Sequence, residues 1–191
     1  MSEDKSAGAR DLDSLIATDV PDKLHIGGME RVAGWQVLNV QPGEHVDFVA
    51  DLRDLSRFAD NSFDVVYGSH VLEHFSYFAE LPGVLASLDR IIRPGGRLLA
   101  SVPDLDVLCR LFVDESLTPG ERFHVMRMMF GGQSDPYDFH YAGLNMGIFG
   151  QFLATAGFRE IYRIPSFDIF DDSSTIMIKD WLVSLNVVAI K

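Results

Sequence analysis

The fold is decided by two runs of sequence, FDVVYGSHVLEHF at residues 63–75 and RPGGRLLASVP at residues 93–103. The first run is typical of a buried strand that ends in a polar turn, and the second of a Pro-Gly-Gly turn that leads into another buried strand. With the helical segment between them, they form half of a doubly wound α/β sheet, whose ligand edge lies where the strands end. We therefore expect the functional site at the turn after Gly68.

Strand and helix patterns alternate along the rest of the chain from Lys23, which favours a mostly parallel sheet with helices on both faces. The predicted strands are Lys23–Ile26, Gln36–Val40, Phe48–Ala50, Phe63–Gly68, Gly96–Val102, Arg159–Ile164 and Ser184–Ile190. The predicted helices are Ser76–Ile92, Leu105–Val113, Pro119–Met129 and Ile148–Ala156.

The chain divides into a short arm and one domain. Residues 1–22 are polar and acidic with little periodicity, which predicts a mobile N-terminal arm with a short helical turn at residues 13–16. Residues 23–191 form a single domain with a helical insertion at about residues 105–145. This insertion is rich in Met and Phe, so that either a lid over the ligand edge or a helix packed on the core would explain it.

The composition limits the partners that the chain can have. Its 191 residues are 47% hydrophobic and carry a formal net charge of −12. A polyanion would be repelled over most of such a surface, so we expect no nucleic-acid partner. No apolar run approaches the length of a membrane span, and we expect no membrane partner and a cytoplasmic location.

The two quoted runs also resemble a known family. They are similar to the central part of class I S-adenosylmethionine-dependent methyltransferases, and the resemblance extends from Lys23 to Pro103 and more weakly to Lys191. It implies a Rossmann-like, doubly wound α/β fold with a mostly parallel seven-stranded sheet and an antiparallel C-terminal strand. It also implies S-adenosyl-L-methionine as the cofactor and a small-molecule or sugar-linked methyl acceptor, as in small bacterial methyltransferases with a shortened glycine-rich loop.

The resemblance gives the first part of the cofactor site to the glycine loop and the strand after it. Gly27 and Gly28 stand where the family has Gly-x-Gly-x-Gly, and bare glycines there let the backbone approach the cofactor closely. The seven residues that follow are too few for the usual first helix, so this connection must be a turn. Asn39 stands where the family has an acidic residue that accepts from the ribose hydroxyls, and an amide there lacks the charge assistance.

The resemblance gives the second part of the cofactor site to two later turns. Asp51 stands where a carboxylate accepts from the adenine amino group, and Leu52 where a backbone N–H meets a ring nitrogen. A turn or cap carboxylate would also explain Asp51. Ser69 follows the fourth strand beside the expected reactive sulfur, although capping of the next helix would explain it equally well.

Methyl transfer depends mainly on alignment, and a base is needed only when the acceptor must lose a proton. His70, after the fourth strand, and His140 with Tyr141, after the insertion, are the candidates for handling that proton. Surface histidines and tyrosines are common, so a structural role is also open for each of them.

Two other functions stay open at the level of the sequence. The reduced glycine loop and Asn39 would also suit a non-catalytic relative with a degenerate cofactor site. The spacing of His70, Glu73 and His74 matches an inverted zinc-hydrolase signature, but that signature belongs inside a helix, so we expect no bound metal. An exposed edge strand or the Met-rich insertion could support a homodimer.

Overall fold

The computed structural model describes residues 12–191, which form a seven-stranded sheet in the order β3-β2-β1-β4-β5-β9-β6. Strand β9 runs antiparallel to both β5 and β6, and the other pairs are parallel. The strands of this sheet are β1 (Lys23–Ile26), β2 (Trp35–Asn39), β3 (Phe48–Val49), β4 (Phe63–Ser69), β5 (Ile92–Pro103), β6 (Glu160–Ile164) and β9 (Ser184–Ile190). The predicted fold class is confirmed.

Five helices and a small hairpin complete the described part of the chain. The helices are α1 (Leu12–Ile16), α2 (Leu81–Ile91), α3 (Leu105–Val113), α4 (Pro119–Phe130) and α5 (Met146–Ala156). The hairpin consists of β7 (Met177–Ile178) and β8 (Trp181–Leu182), and short 3₁₀ turns occur at Leu72–His74 and Ser173–Thr175.

The predicted bounds of β1, β9 and α3 agree with the structure, whereas α2 begins five residues later than predicted, at Leu81 rather than Ser76. Pro82 explains this difference, because proline lacks an N–H and is tolerated only in the first turn of a helix. The residues before it form a turn in which the Ser76 N–H donates to the Glu80 carboxylate at 2.9 Å. Strand β5 begins at Ile92, which pairs with Phe63 ahead of a bulge.

Helices α2 and α5 cover one face of the sheet, and their apolar side chains pack on Leu24, Val66 and Leu98. The opposite face is covered differently from the prediction. There Tyr67 and Trp35 are covered by Phe167 and Phe170 from an extended segment, together with Leu15 of α1. Since residues 40–47 and 27–34 contain no helix, extended chain takes the place of crossover helices on this face.

The part of the predicted arm that the structure describes packs against the domain. Residues 1–11 lie outside the described residues, and the prediction of a mobile arm is not tested for them. Leu15 is buried, and the Arg97 guanidinium donates to its carbonyl at 2.9 Å. The predicted insertion contains α3 and α4, which pack together around a small core of their own that includes Leu108 and Val125.

Candidate active site

A cavity of about 590 Å³ lies at the carboxyl ends of β1, β2 and β4, where the topology predicts the ligand edge. We call it the rim cavity. Its wall combines residues from the glycine loop, from the turns after β2 and β3, and from the turns after β4 and α4. The lining residues used below are Gly27, Asn39, Asp51, Leu52, Arg53, His70, His74, Glu80, Tyr137 and Tyr141.

The two glycines of the loop after β1 have different roles. Gly27 lines the rim cavity and has a φ of +75°, a backbone conformation that favours glycine. Gly28 is not part of the cavity wall, because its Cα faces the buried ring of His25. A Cβ on Gly28 would lie 2.4 Å from His25 Nδ1. The first glycine therefore shapes the cavity, and the second permits the loop to pack on the sheet.

Asn39 is turned toward the glycine loop. Its side-chain amide donates to the carbonyls of Gly27 and Gly28, each at 3.0 Å, and its oxygen accepts the Gln41 N–H at 2.9 Å. Both amide protons are thus directed at the protein itself, and the side chain is buried. A carboxylate could not donate these bonds, so the asparagine is a structural requirement of the shortened loop.

Asp51 presents its carboxylate at the opposite wall. Its two oxygens accept the backbone N–H of Arg53 at 2.9 Å and the Arg53 guanidinium at 2.8 Å. Arg53 also donates to Glu80 at 2.7 Å, so an ion-pair chain crosses the edge of the cavity. Because a carboxylate offers about four lone-pair positions, Asp51 retains acceptor capacity. The Leu52 N–H makes no hydrogen bond with residues 12–191 and is free to donate to a ligand.

Ser69 lies on the other side of the sheet from the cavity wall. Its hydroxyl donates to Asp172 at 3.2 Å, and the Tyr67 hydroxyl donates to the same carboxylate at 2.6 Å. It does not cap the 3₁₀ turn either, because the residue at that cap position is Val71. The structure therefore places Ser69 among buried groups that fix the extended segment, away from the predicted cofactor contact.

His70 lines the cavity, and the protein holds its ring through a hydrogen bond at Nε2. Its backbone has a φ of +53°, and Nε2 lies 2.8 Å from the Ser184 hydroxyl. Since that hydroxyl donates its one proton to the Ser173 carbonyl at 2.7 Å, Nε2 must carry the ring proton. Nδ1 then faces the Glu73 carboxyl at 3.5 Å. This arrangement leaves neither nitrogen directed at an acceptor in the cavity.

Glu73, His74 and His140 form a cluster, of which His74 lines the cavity and the other two do not. The Glu73 side chain is 1% exposed, and burial raises its pKa to about 8. Burial lowers the pKa of His140 and of His70 to about 4, with a further contribution from neighbouring histidines. His140 is not part of the cavity wall, and its Nδ1 donates to the Met128 carbonyl at 2.9 Å.

The zinc-hydrolase spacing does not fold as that signature requires. His70 belongs to the turn after β4, whereas Glu73 and His74 lie in a 3₁₀ turn of only three residues. The two histidines are therefore not one turn apart on an α-helix.

Two tyrosines flank the outer part of the cavity. Tyr141 is 54% exposed, and Tyr137, which the sequence reasoning missed, is 49% exposed. Of the three residues predicted to handle a proton, His70 and Tyr141 line the cavity, and Tyr141 is the more exposed. The sequence reasoning also missed Arg53 and Glu80, whose opposite charges pair although the residues are 27 positions apart in the sequence.

The residues present fit an adenosyl group on the adenine side. Asp51 offers an acceptor and Leu52 a donor in adjacent positions, which complement the amino group and a ring nitrogen of adenine. Gly27 leaves the cavity open beside them. On the ribose side, Asn39 stands where the family has its acidic residue. The Asn39 side chain is engaged by the glycine loop.

Comparison with known proteins agrees with this geometry. Residues 28–100 match the family model described as a methyltransferase domain. No curated protein matches the sequence. None of the helices formed by residues 12–191 is long and apolar enough to cross a membrane.

Solved structures share the fold at low sequence identity. A SAM-dependent methyltransferase from Archaeoglobus fulgidus is 15% identical, with a TM-score of 0.55 and coverage of 88% of this chain and 85% of the other. The Burkholderia thailandensis 1,6-didemethyltoxoflavin-N1-methyltransferase, solved with S-adenosylhomocysteine, is 17% identical, with a TM-score of 0.53 and coverage of 90% and 71%. A chain from the Haloferax volcanii complex that contains the Trm112 methyltransferase activator is 15% identical, with a TM-score of 0.51 and coverage of 93% and 87%.

Other matching methyltransferases are longer, and the chain spans only 50% of CurJ and 53% of SibL. At these identities the likeness to solved structures is one of fold. The match over residues 28–100 adds a sequence signal to this likeness, so that part of the chain is similar to the methyltransferase domain in sequence and the whole described chain is similar to methyltransferases in fold.

Proposed function

We propose that the chain binds S-adenosylmethionine in the rim cavity and transfers its methyl group to a small-molecule or sugar-linked acceptor. The observation that carries this proposal is that two adjacent residues line the cavity, Asp51 with a carboxylate and Leu52 with a backbone N–H that bonds to no other part of residues 12–191. When bound, the cofactor supplies a methyl group on positively charged sulfur. The protein's task is then to hold the acceptor in line with that group and to exclude water.

In this proposal the adenine side of the cavity supplies most of the recognition. Asp51 accepts from the adenine amino group, and the Leu52 N–H donates to a ring nitrogen. The guanidinium of Arg53 holds the Asp51 carboxylate in position from the solvent side. The side chains of Arg53 and Asp51 are 44% and 37% exposed, so their ion pair orients the carboxylate more than it stabilises the fold.

The acceptor side of the cavity is expected near Tyr137 and Tyr141, whose rings supply an apolar surface with polar tips. His70 is neutral at pH 7, because burial lowers its pKa to about 4, and its Nε2 is engaged by the Ser184 hydroxyl. We therefore assign it to positioning of the turn after β4. A neutral or cationic acceptor suits a chain with a net charge of −12. The cytoplasmic location and the homodimer stay predictions.

Calorimetric titration with S-adenosylmethionine and S-adenosylhomocysteine tests the proposal. We expect affinity in the micromolar range and at least about a tenfold loss in Asp51→Ala, the equivalent of one hydrogen bond to a charged group. Asp54→Ala is the matched control, because this fully exposed carboxylate caps only its own turn at Ser56. Absence of heat at millimolar ligand, or equal affinities in the two variants, would contradict the proposal.

A specific observation also favours the alternative of a binding protein without turnover. Asn39 is committed to the glycine loop, so the ribose hydroxyls lack the acidic partner that the family uses. A binding protein of this kind would retain S-adenosylhomocysteine in calorimetry and yet form none from S-adenosylmethionine with any acceptor mixture. Formation of S-adenosylhomocysteine that depends on an added acceptor would exclude this alternative.

A further inference from the structure

The Glu73 carboxyl group is buried without a partner. Neither of its oxygens makes a hydrogen bond within residues 12–191, although the side chain is 1% exposed. A carboxylate without a counter-charge costs several kcal/mol to bury. Such a group is therefore expected to be completed by a proton or by a cation that the polypeptide does not supply.

The neighbours of Glu73 are histidines at distances that do not suit hydrogen bonds. Its Oε1 lies 3.5 Å from His70 Nδ1 and 3.8 Å from His140 Nε2. Hydrogen bonds to a carboxyl oxygen are usually about 2.7–3.2 Å long, so these gaps are too wide for a directly shared proton. Two ligand atoms of a tetrahedral zinc ion, each bonded at about 2.0–2.2 Å, lie roughly 3.4 Å apart. The distance of 3.8 Å between Glu73 Oε1 and His140 Nε2 is close to this spacing.

We propose that Glu73, His74 and His140 form a binding site for one divalent transition-metal ion of the zinc class. One ligand atom from each side chain lies within 4.8 Å of the other two, so small side-chain movements would complete the coordination. Two imidazoles and one carboxylate are a donor set typical of zinc. This differs from the zinc-hydrolase motif, because Glu73 is a ligand and His140 replaces His70.

The rings of both proposed histidine ligands are fixed from behind. His140 Nδ1 donates to the Met128 carbonyl at 2.9 Å, which leaves the lone pair of Nε2 on the side of Glu73. His74 Nδ1 lies 3.1 Å from the Phe139 carbonyl. Donation of one ring N–H to a backbone carbonyl is the outer-shell arrangement that accompanies metal-ligating histidines.

The backbone also joins the two segments that carry the ligands. The amides of Tyr141 and Ala142 donate to the Glu73 carbonyl at 2.8 and 3.1 Å. The loop after α4 is thereby clasped to the turn after β4, so that His140 is held against Glu73 and His74. Because His74 lines the rim cavity, a fourth coordination position on that side would be open to water or to an acceptor atom.

Metal binding to the whole chain is the test, and it does not depend on the proposed methyl transfer. Chelator-treated protein is titrated with Zn²⁺ or Co²⁺, and metal content is measured by mass spectrometry after gel filtration. We expect one equivalent per chain, a higher melting temperature with Zn²⁺, and the visible absorption of tetrahedral Co²⁺. Changes to outer-shell residues typically reduce metal affinity about 10–100-fold, and loss of a side chain that binds the metal directly should reduce it more. We therefore expect Glu73→Gln and His140→Ala to lower the affinity for Zn²⁺ at least about 100-fold.

His124→Ala is the matched control, because this exposed histidine lies on α4 outside the cluster and should bind metal as the unaltered chain does. Glu73→Gln keeps the size of the side chain, and circular dichroism reports whether each variant folds. Failure of the unaltered chain to retain stoichiometric metal overturns the proposal, whatever the variants do. Equal metal affinity in Glu73→Gln and in the unaltered chain also overturns it. Cofactor calorimetry on chelator-treated protein reports the proposed function separately.

Discussion

Replacement of Asn39 by aspartate separates what the family resemblance implies from what the structure implies. The resemblance implies that Asn39→Asp should tighten cofactor binding, because a carboxylate would accept from the ribose hydroxyls. The structure implies that the variant loses stability, because the amide donates to the Gly27 and Gly28 carbonyls at 3.0 Å each. A carboxylate would leave both carbonyls without a donor and would place negative charge beside them.

The size of the effect follows from these contacts. Each buried carbonyl left without a donor costs about 1–3 kcal/mol, while a stronger bond from the Gln41 N–H to the new charge recovers about 1 kcal/mol. We therefore expect Asn39→Asp to lower the free energy of unfolding by about 1–5 kcal/mol at pH 7. The deficit should shrink in acid, because a protonated carboxyl group regains one donor.

Urea denaturation followed by fluorescence measures the difference, since Trp35 is 7% exposed and lies on β2, the same strand as Asn39. Gln41→Glu is the matched control, because it introduces the same charge two residues away on an exposed side chain, where changes usually stay within about 0.5 kcal/mol. If Asn39→Asp matched this control in stability and bound S-adenosylmethionine more tightly than the unaltered chain, the structural role assigned to the amide would be wrong.

Three further predictions concern the packing beneath the cavity. Gly28→Ala should lower the free energy of unfolding by about 1–3 kcal/mol through overpacking against His25. Gly83→Ala, whose new Cβ has nothing within 4 Å, should leave this free energy unchanged or raise it. Urea denaturation of both variants measures the difference. Tyr67→Phe should lower the free energy of unfolding by about 1.5–3 kcal/mol at neutral pH, because the hydroxyl donates to the Asp172 carboxylate. Calorimetric melting measures this loss, and an unchanged melting temperature would contradict the prediction. Burial lowers the pKa of His25 to about 4, although the attraction of Asp172 opposes this shift. As the pH falls, the His25 ring is therefore protonated in the unfolded chain before it is protonated in the folded one. The free energy of unfolding should then decrease by up to about 3 kcal/mol between about pH 6.5 and pH 4. A His25→Phe variant with the same pH dependence of unfolding would contradict that assignment.

The sheet could be predicted because its signals are local. The bounds of β1 and β9 follow from short apolar runs between polar turns, and the mostly parallel seven-stranded sheet with an antiparallel C-terminal strand follows from the family resemblance. The covering of the second face could not be predicted in this way. Phe167 and Phe170 pack on Tyr67 from a segment with no regular period, so no pattern in their own neighbourhood indicates what they contact.

The site was predictable in position and less so in detail. Gly27, Asp51, Leu52 and His70 all line the rim cavity, as the ends of their strands indicate. The orientation of Ser69 depends on the alternation of β4, which points the residue after Gly68 to the face of Tyr67. The burial of Glu73 depends on a loop more than sixty residues later in the chain, and no local pattern indicates such a contact.

The position of β9 inside the sheet has a consequence for synthesis on the ribosome. This strand inserts between β5 and β6, and the Lys191 ammonium group after it donates to the carbonyls of Asp89 and Ile92 at the end of α2. Until residues 184–190 emerge, a nascent chain presents β5 with an unpaired edge that can associate with other chains. The sheet should therefore close only after β9 has emerged, and chaperones should engage the exposed edge of β5 until then.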